Sequence, residues 1–137
     1  MNRRALFTLA PLAGVALAAA ALPALASEGG GEGGAPKDSF MPLGTVTATI
    51  IRPDGRRGVM TVETGIDVPD ADLHKRALLE TPRLIAAHNE VVQRTAGGLR
   101  PDQVPDLSRL AHDLQLATFM VLRKRGAVVL LGTVMVN

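Results

Sequence analysis

The chain has 137 residues, with 15 Lys/Arg against 13 Asp/Glu, three Phe, and no Cys, Trp or Tyr. That length suits one domain, and the composition excludes disulfides, cysteine-ligated metals and broad aromatic platforms for stacking bases or sugars. The two excess positive charges are Arg3 and Arg4, so residues 27–137 balance 13 basic against 13 acidic side chains and give no reason to expect nucleic acid as a partner.

Residues 1–26 read as an export signal: Arg3 and Arg4 form a basic start, an Ala/Leu-rich apolar stretch follows, and Pro23 breaks it. Ala24 and Ala26 then supply the small-x-small pattern of a signal peptidase site. Arg3-Arg4-Ala5-Leu6-Phe7 resembles the twin-arginine export motif, which implies a folded passenger delivered to the periplasm, and the Sec route is the alternative. Cleavage after Ala26 leaves 111 residues. The rival reading is an uncleaved signal-anchor in the inner membrane, because residues 5–26 approach the roughly 20 apolar residues that span a bilayer. Pro11, Gly14 and Pro23 count against it. The glycine-rich residues 27–39 read as a flexible tether, with order beginning near Phe40.

Residues 43–52 alternate, with Val46, Ala48 and Ile50 on one face and Thr45, Thr47 and Thr49 on the other, which predicts a half-buried strand. Pro53-Asp54-Gly55 predicts a turn, and residues 58–68 alternate again through Val62, Thr64 and Ile66, completing a hairpin. Asp70 is the expected N-cap of a helix that runs through Leu73, Ala77, Leu84, Ala87 and Val91 to Thr95. Pro82 predicts either a kink or the first position of a second piece, and Gly97-Gly98 predicts the end. A further helix is predicted over residues 106–125, with Leu107, Leu110, Leu114, Ala117 and Val121 at three-and-four spacing. Arg123, Lys124 and Arg125 fall in its expected last turn, with Gly126 as its cap. Residues 127–137 are a nearly continuous apolar strand, a pattern that places it in the middle of a sheet or under helices. The expected fold is therefore α+β in the order β-β-α-α-β: an antiparallel hairpin plus a C-terminal strand, with helices on one face.

No catalytic signature accompanies this pattern. His74 and His88, 14 positions apart, would lie about 21 Å apart on an unkinked helix, too far to share a metal. His88 with His112 and Asp113 is conceivable across a helix pair, but surface or helix-flank histidines are the simpler expectation. Ser27, Ser39 and Ser108 occupy no nucleophile elbow, and the glycines of residues 29–34 lack the Lys-Ser/Thr of a phosphate loop. No cofactor or metal is expected. Arg52, Arg56 and Arg57 gather on the predicted hairpin turn as a possible interaction patch for phosphate or an acidic partner, against the simpler reading of solvated turn charges.

Several local motifs resemble the periplasmic domain of the flagellar basal-body-associated FliL family. Phe40-x-Pro42-Leu43 is similar to its aromatic-x-Pro-Leu lead into the first strand, and Val59–Val68 to its second strand, with the x-Val-x-x-x-Ile-x-Val pattern of Val62 to Val68. Leu79, Pro82, Leu84, Ile85 and Val91 resemble its proline-marked helix, and Thr133-Val134-Met135-Val136-Asn137 its terminal strand. The chain departs from the family at Leu131-Gly132, where an aromatic-Thr pair is usual, and in having a cleavable N-terminal segment instead of a retained membrane helix. The resemblance implies a stomatin-like α+β domain, no catalysis, and a protein partner or self-association beside the flagellar stator. The rival expectation is a free periplasmic binding module.

Overall fold

A computed structural model describes residues 38–137. The export motif Arg3 and Arg4, the cleavage site Ala24 and Ala26, and the tether up to residue 37 lie outside the described residues. Strand β1 is Phe40–Ile51, β2 is Arg57–Asp67, helix α1 is Ala71–Leu79, α2 is Thr81–Gly98, α3 is Leu107–Leu122 and β3 is Val128–Val136. The expected α+β order holds, with the predicted first helix divided in two.

The hairpin forms where the alternation places it. Val46, Ala48 and Ile50 of β1 are buried, as are Met60, Val62 and Ile66 of β2, while Thr45, Thr47 and Thr49 face solvent. Between the strands Gly55 takes φ +77°, a left-handed backbone that glycine adopts without strain. A β-bulge between Pro42 and Gly44 shifts the register of β1, so that Met41 and Leu43 are buried on the same face as Val46 although Leu43 and Val46 are three residues apart.

At the other end of β2, Asp70 caps α1 as expected, its carboxylate accepting from the Leu73 N–H at 2.7 Å. That hydrogen bond, aided by Lys124, holds the Asp70 carboxyl below its usual value. Pro82 acts as a starting residue at the head of α2, where its missing N–H costs nothing, so α1 and α2 are separate helices and not one kinked rod.

Gly97 and Gly98 end α2 as expected, forming its last two residues before the extended C-cap Leu99. Two expectations about element ends and placement are corrected. Helix α3 stops at Leu122, so Arg123, Lys124 and Arg125 lie beyond its last turn; Arg123 itself is the left-handed C-cap (φ +55°), and Gly126 (φ +126°) turns the chain into β3. Strand β3 is at the edge of the sheet, not in its middle: the order is β1-β2-β3, all antiparallel, and β2 is central. Its apolar character is shared between a core-facing set (Val129, Leu131, Val134) and exposed Val128, Leu130, Met135 and Val136.

The helices cover one face of the sheet. Its core has two clusters, one around Val46, Met60, Val92 and Leu114, the other around Leu43, Ile66, Leu84 and Leu122. One buried polar residue per element falls in sequence between residues of the two clusters: Thr64 on β2, His88 on α2 and Thr118 on α3. Large apolar side chains close both clusters completely, which supplies the packing that a cysteine-free domain of this size relies on.

Candidate functional site

The arginine patch is built by the β1–β2 turn. The Arg52 N–H donates to Arg56 O at 2.8 Å and the Gly55 N–H to Arg52 O at 2.9 Å, closing the loop on itself. Asp54 accepts from the Arg56 N–H at 2.9 Å and pairs with its guanidinium at 3.5 Å. The Arg52, Arg56 and Arg57 side chains all project into solvent, where an isolated ion pair adds little stability. The structure thus brings the three predicted residues together.

The sequence did not reveal what lies beside them. The connection between α2 and α3 folds against the same end of the domain. Asp102 holds φ +74° in that connection, a left-handed position that Asp tolerates, and Gln103 N–H donates to Arg100 O at 3.1 Å. Together the turn and the connection enclose an open hollow of about 460 Å³. Ile50, Ile51, Leu99 and Val104 give it apolar walls, and Arg52 and Arg100 stand over it. Val104, 80% exposed, adds an apolar side chain at the rim of the hollow. The Gly97-to-Asp102 run, rich in turn-forming residues, marks a connection in the sequence but not its position next to Arg52.

The histidines separate. His112 is exposed and His74 half-buried, as expected of helix-flank residues. His88 is not: it is fully buried, a correction to the surface reading, because its position on α2 faces α3 in the core. His88 bonds Thr118 at 2.8 Å, not His112 or Asp113. Burial pushes its pKa down from 6.5 to about 4, so the ring is neutral at physiological pH. No three potential metal ligands converge among the described residues. Ser39 precedes β1 and passes its carbonyl to the Val68 N–H, and Ser108 is exposed in the first turn of α3.

Comparison of the chain with protein-family models, with curated proteins and with solved structures returns no match. Among the described residues no helix is long and apolar enough to cross a membrane.

Proposed function

We propose that the chain is an exported, non-enzymatic protein-binding domain of the bacterial envelope, akin to the FliL periplasmic domain beside the flagellar motor. One observation carries the binding part of this reading: Arg52, on the exposed turn it shares with Arg56 and Arg57, stands with Arg100 over a hollow whose apolar walls include the exposed Val104. Arginine at the rim of a desolvatable apolar surface is a favourable composition for a protein interface. The β-β-α-α-β order supports the likeness to FliL, and the basic, apolar N-terminal segment supports export.

Affinity capture from the host envelope, with the wild-type chain beside an Arg56→Glu/Arg57→Glu variant, tests the binding reading. A protein held by the wild type and lost by the variant is expected; equal capture overturns the hairpin patch. Deletion of the gene tests the flagellar role separately. Reduced swimming at unchanged growth rate is expected, and unchanged swimming leaves a periplasmic binding module without a motor. Intact mass of the protein from its host, beginning at Ser27, tests cleavage.

A further inference from the structure

Strand β3 ends the sheet with a row of backbone groups directed away from β2. Val59 and Asn137 exchange both hydrogen bonds, at 2.8 and 2.9 Å. Antiparallel pairs alternate between bonded and non-bonded, so Val136 and Val134, opposite Met60 and Val62, turn their N–H and C=O outward. At the start of the strand the outward groups are already taken: the Gln115 side chain donates to Ala127 O at 2.8 Å and accepts from the Val129 N–H at 2.9 Å. One side-chain amide thus fills the place that a peptide group of a fourth strand would fill.

Beyond Gln115 the edge is open among the described residues, and β3 lacks the usual guards. It contains no charged residue and no proline, and its single irregularity is the bulge opposite Glu63, where the Glu63 carboxylate accepts from the Thr133 N–H at 3.4 Å. Past the start of β3, Leu116 and Phe119 of α3 line a largely apolar hollow of about 370 Å³ with Gln115, Ala127, Lys124 and Arg125. Extended chain laid along the open part of β3 would gain backbone bonds, and its continuation past Gln115 would meet that hollow.

Charge selects the occupant. An uncharged strand roughly 30 Å long, at about 3.4 Å per residue, is bracketed by basic clusters at both ends. Lys124 pairs with Asp70 and Arg56 with Asp54, while Arg123 and Arg125 at one end and Arg52 and Arg57 at the other form no ion pair among the described residues. A second copy paired antiparallel through β3 would set each basic end against the other copy's opposite basic end, a repulsive arrangement. We infer that the β3 edge accepts an added strand from a partner protein: an extended, alternating apolar segment with acidic residues at both ends. This rests on the protein-binding reading above and gives the partner its chemistry.

The test uses the full chain and fluorescein-labelled decapeptides in which a central Val-Thr run is flanked by two aspartates on each side, or by two lysines. The aspartate peptide is expected to bind at least tenfold more tightly by anisotropy. Val134→Pro removes an outward N–H and leaves the β2–β3 ladder intact, so it is expected to weaken binding at least tenfold at an unchanged circular dichroism spectrum. Arg57→Glu/Arg125→Glu, confined to exposed side chains, is expected to erase the preference for aspartate even if the proline variant misfolds. Equal affinity for both peptides overturns the inference. So does sedimentation showing a dimer that Val134→Pro dissolves, because the occupant is then a second copy. Host-protein capture that Arg56→Glu/Arg57→Glu abolishes and Val134→Pro leaves whole removes this inference while the hairpin reading stands.

Discussion

His88 Nε2 lies 2.8 Å from Thr118 Oγ1, a buried bond between α2 and α3. The Thr118 hydroxyl donates its one proton to Leu114 O at 2.9 Å, so its oxygen accepts from His88 and the imidazole proton resides on Nε2. His88 Nδ1 is then a bare acceptor without a protein partner, less costly than an orphaned N–H. This bond lies in the buried part of the helix interface, and the burial of the imidazole makes the domain sensitive to acid.

Stability should fall as pH drops from about 6.5 to about 4. The folded state holds His88 neutral down to about 4, whereas the unfolded chain protonates near 6.5, so across that window the unfolded state binds more protons. The lost stability amounts to roughly 3 kcal/mol by linkage. Asp70, whose folded value is lowered from 3.8, adds a loss in the same direction at still lower pH. Urea unfolding at pH 7, 5.5 and 4.5 should show falling midpoints, and His88→Leu should flatten the series; a wild-type midpoint constant across these pH values contradicts the assignment.

Thr118→Val keeps the shape of the site and removes the acceptor, stranding the His88 N–H in the core. The expected loss is about 1–3 kcal/mol in chemical denaturation, the cost of an unsatisfied buried donor. The double variant with His88→Leu should lose less than the sum of the two single changes, because the stranded group is then absent.

Gln115→Ala releases Ala127 O and the Val129 N–H from their side-chain partner. Stability should fall by about 1–2 kcal/mol, and the Val129 amide should exchange hydrogen faster than its neighbours in β3, as read by amide-resolved exchange.

Gly126→Ala should destabilise by about 1–3 kcal/mol, because φ +126° lies where a Cβ is strained and the added atom would come within 3.3 Å of Leu73. A thermal melt of the purified variant checks this, and an unchanged midpoint counts against the turn geometry.

Much of the fold was legible because its signals are local. The alternation of Val46, Ala48 and Ile50 against three threonines fixed the face of β1, and Asp70 and Pro82 announced helix starts through hydrogen-bonding and steric rules that need no tertiary partner. Of the candidate site, Arg52, Arg56 and Arg57 were legible as a turn cluster, since all three lie within six consecutive residues. Arg100 and Val104 were not, because nothing within the α2–α3 connection encodes which end of the sheet it meets.

By itself, the sequence determined the element types, their order and the absence of disulfides, because periodicity, capping and composition act within a few residues. Tertiary structure alone decided that β3 is an edge, that His88 is core, and that arginines from two separate segments share one hollow. An apolar strand can bury both faces between neighbouring layers or leave one exposed for a partner, and its residues are the same in either case. Which of these occurs depends on non-local pairing: β2 bonds to both β1 and β3, and that choice leaves the outer edge of β3 open beyond Gln115 among the described residues.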